Sequence, residues 1–153
     1  MTRLASAILL ILFGAGLRAV ATQKPAPGGY IIEHDAEVAK NEPGTHNGGG
    51  QTVGYSFFSK VPKLGLVFRK RALKPGSGIG LHEQREDEIY YVLSGRGLMT
   101  IDGEEREISQ GDLVHIPPDT VHSLRPVSDH APIHCFCFAV GVAGSGPVDY
   151  TEH

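Results

Sequence analysis

His82 and Gln84 stand two residues apart in the run Gly80-Leu81-His82-Glu83-Gln84. On an extended backbone their side chains leave by the same face. Glu88 has the same parity, although a turn through Arg85-Glu86-Asp87 would uncouple it from that face. A second histidine, His122, follows Pro117-Pro118 in the segment Gly111 to Leu124 (GDLVHIPPDTVHSL). Two imidazoles and a carboxylate suit a borderline divalent ion. The amide oxygen of Gln84 is a harder, neutral and weaker donor, and it favours Mn, Fe or Zn over Cu(I). Tyr90 shares the parity of Glu88. It is either an acid, a base or a hydrogen-bond donor beside that carboxylate, or an aromatic that only packs.

These residues need short, rigid elements to hold them, and the sequence is dense in strand and turn signals. Val53 to Ser59 and Leu64 to Leu73 read as strands, punctuated by Lys74-Pro75-Gly76. Ile89 to Leu93 is β-branched and aromatic and ends at Ser94-Gly95. Leu98 to Ile101 and Glu104 to Ile108 flank Asp102-Gly103, the residue pair favoured in two-residue hairpin turns. Leu113 to Ile116, Val121 to Arg125 and Ile133 to Val140 complete the set. Short strands at close spacing imply an all-β sandwich or barrel. Tyr30 to Lys40 reads as either a strand or a short helix. Asn41 to Gln51, with three consecutive glycines, reads as a loop and a mobile flap. It lacks the lysine, hydroxyl and following helix of a phosphate cradle.

Other chemistry-bearing residues receive blander readings. Arg69 and Arg71 would clamp a substrate carboxylate if they pointed inward, but alternating charges more often form a solvated face. His115 reads as a partly buried strand residue in preference to a fifth ligand. His134 shares a face with Phe136 and Phe138, and that face reads as core. Cys135 and Cys137 read as small buried apolar residues, too far apart on a strand to bridge easily. Glu86 and Asp87 read as solvated turn residues. No role is assigned to His34, His46, His130 or His153.

The chain has 153 residues, enough for one domain. Its formal net charge of −3 gives no basic face for nucleic acid. Residues 1–21 have the form of a signal peptide: Arg3, an apolar run from Leu4 to Leu17, and a small-x-small site ending at Ala21. The run is short for a membrane span. Cleavage after Ala21 would remove Arg3 and Arg18 and take the net charge to −5. The expected product is secreted or periplasmic, without a stable membrane anchor. The expected organisation is a signal peptide at 1–21, a linker and loop at 22–52, a barrel domain at 53–140 and a flexible tail at 141–153.

Two segments together resemble the motifs of the cupin superfamily. Gly76, His82, Glu88 and Gly95 fall at the spacing of the first motif, with Gln84 in the place of a second histidine. Gly111, Pro117 and His122 match the second, with Asp119 where glycine is usual and Pro126 where asparagine is usual. The resemblance covers roughly Leu64 to Val140. It implies a single jelly-roll barrel of roughly six to eight strands, with a metal site inside it. The implied ligands are His82, Gln84, Glu88 and His122. The implied cofactor is one divalent ion (Fe, Mn, Zn or Ni). Glu88 and Tyr90 are the candidate catalytic groups. The function this suggests is a metal-dependent enzyme of the oxygenase, isomerase, decarboxylase or lyase type, acting on a small polar molecule. The alternative is a non-catalytic periplasmic module that binds a small molecule or a metal. The resemblance also suggests a homodimer.

Overall fold

The computed structural model describes residues 29–62 and 64–140. The expected signal peptide, its cleavage site and the expected tail lie outside the described residues. The chain divides into two compact units, Met1–Ile31 and Ile32–His153, and the second carries every element named below.

Turn chemistry sets the strand boundaries. At the Asp102-Gly103 turn both residues have positive φ, 47° and 86°, which matches the right-handed twist of a tight hairpin. The hairpin joins β6 (Arg96–Ile101) to β7 (Glu104–Ser109). Gly111, at φ 93°, turns the chain into β8 (Leu113–Ile116), which stops at Pro117. Asp119 has φ 60°. It therefore fills the left-handed position where the family motif usually has glycine, and aspartate is among the residues that tolerate it. The chain then enters β9 (Thr120–Pro126) and β10 (Ile133–Val140).

Upstream lie β1 (Ala39–Pro43), β2 (Gln51–Phe57), β3 (Leu66–Leu73), β4 (Ile79–Gln84) and β5 (Asp87–Ser94). One sheet has the order β1-β2-β3-β10-β5-β8, the other β4-β9-β6-β7. All pairings are antiparallel. From β3 onward the chain passes repeatedly between the two sheets, which is the jelly-roll pattern.

Ten strands exceed the six to eight expected among these residues, and the sheet begins at Ala39 instead of Val53. β1 reads AKNEP and is mostly exposed. A polar edge strand held by backbone bonds to β2 leaves almost no hydrophobic signal in the sequence. It follows a single helical turn, Asp35–Val38, whose His34 and Glu37 form a reciprocal cap.

The interior is divided along its length. Leu73, Val92, Met99, Ile108, Leu124 and Ile133 fill one end with hydrocarbon. Toward the other end, β3, β10 and β5 present polar rungs. Arg69, Cys137 and Tyr90 are register partners, and Val67, Ala139 and Glu88 form the next rung.

This register corrects the reading of β10. Cys135, Cys137 and Ala139 are buried inside, while His134, Phe136 and Phe138 take the opposite face. Outside the barrel Phe136 and Phe138 join Phe57, Phe58 and Phe68, with Phe68 and Phe138 edge to face at 4.5 Å. Arginine, tyrosine and glutamate face inward at those rungs, and β10 places only thiols and a methyl beside them, which leaves a cavity between.

Candidate metal centre

A bulge in β4 aims the first histidine. Ile79 is the register partner of Leu124, yet His82 is the partner of His122, so the pairing gains a residue between them. Ile79 and His82 both face inward although they are three apart, and Leu81 is turned out at 63% exposure. Bulges re-aim side chains in this way beside functional sites. After the bulge the alternation resumes, and Gln84 faces the same cavity as His82.

His122 comes from β9, fully buried, and Glu88 from β5, at 5% exposure. The ligand atoms of His82, Glu88 and His122 all lie within 4.8 Å of one another. His122 Nε2 is 3.0 Å from Glu88 Oε2, and His82 Nε2 is 4.0 Å from the same oxygen.

The other ring nitrogens fix the tautomers. His82 Nδ1 lies 2.9 Å from the Gly80 carbonyl, and His122 Nδ1 lies 3.1 Å from that of Thr120. A carbonyl only accepts, so each Nδ1 donates, and each neutral ring keeps its lone pair on Nε2. Two lone pairs and a carboxylate oxygen thus converge on one point. The Tyr90 hydroxyl, 3.2 Å from His122 Nε2, has one proton to offer them. A cation between them resolves the conflict, and the donor set fits a divalent ion.

Gln84 Nε2 donates to Glu86 at 2.9 Å. The atom with which Gln84 would reach an ion is therefore Oε1. Tyr90 is 1% exposed, so the structure makes it both a packed aromatic and a partner of the site.

The sequence comparisons agree with this geometry. A family model described as "Cupin domain" matches residues 70–139. Residues 70–139 are a cupin domain. An uncharacterised protein of Methanocaldococcus jannaschii is 43% identical over 63 residues, 40% of this chain and 50% of its own length. The oxalate-binding protein of Thermotoga maritima is 37% identical over 59 residues, 38% of this chain and 49% of its own. The cupin thus spans about half the length of these curated relatives. The crystal structure of a predicted oxalate decarboxylase from T. maritima superposes with a TM-score of 0.64 at 23% identity. It covers 73% of this chain and all of that one, and so shows the shared fold.

The wall of the cupin cavity contains residues the sequence left unassigned or placed elsewhere. Arg69 and Arg71 line it and so belong to the inner face of the barrel. Arg71 is 5% exposed and paired with Glu42, which reaches it across Gly54. Their signal is parity with Val67 and Leu73, which becomes readable only once the inner face is known. His46 and Thr45 also line the cavity, and no local pattern marks them.

The expected mobile flap is instead docked. Residues 44–50 pack backbone to backbone on the start of β4. A Cβ on Gly48 would lie 2.1 Å from the Gly78 carbonyl oxygen, and one on Gly80 would lie 1.9 Å from that of His46. Glycine is required at both positions for this approach.

His115 lies on β8 outside the cluster, as its strand reading implied, but it is exposed and pairs with Asp87, where partial burial was expected. Cys135 and Cys137 are unbridged thiols with sulfurs 4.0 Å apart. The hydrogen bond shared with Cys135, together with burial, raises the Cys137 thiol well above its usual range. Burial, reinforced by the Glu88 carboxylate, does the same for the Tyr90 phenol. Tyr90 therefore keeps its proton and acts as a neutral donor.

Burial lowers His82 from 6.5 to about 4. The ring is neutral at physiological pH, as a metal ligand must be. A pH dependence follows for the metal-free protein. Above pH 6.5 the ring is neutral in both folded and unfolded states. As pH falls from 6.5 to about 4, the unfolded chain takes up a proton that the folded chain resists. Stability should fall across that window by up to about 3 kcal/mol and level off below it. Urea unfolding of chelator-treated protein at several pH values measures this. His82→Asn should flatten the His82 share of the slope.

Proposed function

We propose that this cupin is a metal-dependent enzyme acting on a small carboxylate-bearing molecule. The observation that carries the reading is the convergence of His82 Nε2, His122 Nε2 and a Glu88 oxygen within 4.8 Å, with both tautomers set for ligation. Gln84 is the fourth donor in this reading. A bound divalent ion would supply Lewis acidity toward a substrate oxygen. The chain's own groups do the rest. Arg69 brings a guanidinium to the cavity wall, where it can meet a carboxylate, and the neighbouring Arg71 is paired with Glu42. Tyr90 holds a proton beside His122, where it can be donated to a ligand oxygen.

The cavity supports a small substrate. It encloses about 30 Å³, room for roughly two water-sized occupants. The oxalate-binding relative supports a carboxylate and also favours a second reading, capture of the anion without turnover. The metal's identity would select among oxygenase, isomerase, decarboxylase and lyase chemistry.

Metal content by mass spectrometry, on protein exported and purified without chelators, is the first test. Near-stoichiometric iron, manganese, nickel or zinc is expected. Oxalate and related mono- and dicarboxylates should then raise the melting temperature of the loaded protein. Consumption of the ligand distinguishes enzyme from binder. Protein that takes up none of these ions after loading would sink the metal reading. The same preparation tests two further parts of the proposal, export with cleavage after Ala21 and a homodimer. Its N-terminal residue should be Thr22, and its mass in solution should be that of two chains.

A further inference from the structure

Each imidazole ligand must be held against rotation, and the two histidines are held differently. His122 is enclosed on all sides, with Thr120, Tyr90 and Glu88 around its ring. His82 is less completely enclosed, its side chain 9% exposed. Its Nδ1 bond to Gly80 fixes one edge of the ring but leaves its faces to be restrained by something else.

One face is covered by His46. The two rings are stacked with centroids 3.8 Å apart and planes within 2° of parallel. His46 lies in the 3-10 turn Thr45–Asn47 with φ 50° and ψ 41°, in the left-handed region. Glycine adopts that conformation at no steric cost, whereas histidine is strained there. The surrounding segment uses glycine at 44, 48, 49 and 50. At the one position where the ring reaches His82, it carries an imidazole instead. The backbone contacts of Gly48 and Gly80 clamp this turn onto β4, so the ring is presented from a fixed support.

We propose that His46 is a positioning residue of the metal centre. Its ring holds His82 flat, with Nε2 directed at Glu88 and His122. The inference rests on the metal reading above. It predicts that the ring of His46 matters and its nitrogens do not.

The test compares the whole protein with His46→Gly and His46→Phe, using Co2+ as the probe ion. His46→Gly relieves backbone strain, so the denaturation midpoint of the metal-free protein should hold or rise. Its Co2+ affinity should nevertheless fall roughly 10-fold or more, the usual loss when support behind a ligand is removed. His46→Phe restores a flat ring without a donor atom and should recover most of that affinity. Wild-type affinity in His46→Gly would overturn the proposal. So would a His46→Phe as weak as His46→Gly, since that result would make His46 a ligand.

Nuclear magnetic resonance of the metal-free protein separates this inference from the metal reading. Ring protons of His82 should lie upfield in the wild type and move downfield in His46→Gly. Unchanged shifts would overturn the stack. A wild type that binds no Co2+ would overturn the metal reading while leaving this measurement decisive for the stack.

Discussion

His122→Ala is expected to empty the site and weaken the barrel at the same time. The ring is wholly buried between two sheets, bonded to the Thr120 carbonyl and the Tyr90 hydroxyl, with the Glu88 carboxylate 3.0 Å from Nε2. Truncation removes a candidate ligand and leaves a cavity. It also leaves the buried Tyr90 hydroxyl without that acceptor. Such a combination costs about 2–4 kcal/mol. His82→Ala should lose the metal as completely, because each ring supplies one of three converging donors. Its stability cost should be smaller, about 1 kcal/mol, since the ring is less completely enclosed than His122 and lies outside the hydrocarbon core. Metal content and urea unfolding of the metal-free variants read the two effects separately. Retention of a full complement of metal in either variant would remove that histidine from the ligand set. Equal stability losses would show that burial does not distinguish the two positions.

The second large effect is expected from a single methyl group. Gly80→Ala puts Cβ 1.9 Å from the His46 carbonyl oxygen and 2.9 Å from the Gly48 amide nitrogen. Both neighbours are backbone, so no side chain can swing aside. Either β4 or the turn must move by more than an ångström. Overpacking of this kind costs about 1–3 kcal/mol. The cheaper route is for the turn to lift away from β4. Hydrogen exchange at residues 44–50 should then accelerate, while the β5–β10 ladder keeps its protection. Metal affinity should fall with the loss of the His46 stack. Gly103→Ala is the control, because a Cβ there meets nothing within 4 Å, although its φ of 86° also disfavours alanine. If Gly80→Ala matches that control in exchange and in metal binding, the turn is not clamped as described.

Much of the barrel was legible because turns write themselves in residue types. Asp102-Gly103, Gly111 and Pro117 mark boundaries by conformational necessity, and the strands between them appear within a residue or two of expectation. The histidines that cluster with Glu88 were legible through two motifs in register. Facing was harder to read. A strand with two different faces does not say which one is inside; register with its neighbours decides that. In β10 the hydrophobic rule pointed the wrong way. Phenylalanines ordinarily mark an interior, but here the interior at those rungs is polar and lines the cavity of the site. The same rule placed Arg69 and Arg71 outside. β1 was hidden because an edge strand with exposed side chains carries no apolar alternation. His46 was hidden for a different reason. Its partner lies thirty-six positions away, and only the glycine-lined approach of two backbones brings them together.

The lengthwise division of the interior separates two demands that proteins often have to meet with the same residues. Cohesion comes from one end, through Leu73, Val92, Met99, Leu124 and Ile133. The candidate site lies toward the other, beyond the rung that Arg71, Cys135 and Val92 share, on positions that β3, β5 and β10 can vary by exchanging a single inward side chain. The chain can therefore be re-tasked without being re-founded. New donors or a different anion clamp at positions 69, 71, 84 and 137 would alter what the site handles, while the hydrocarbon plug continues to hold the cylinder closed.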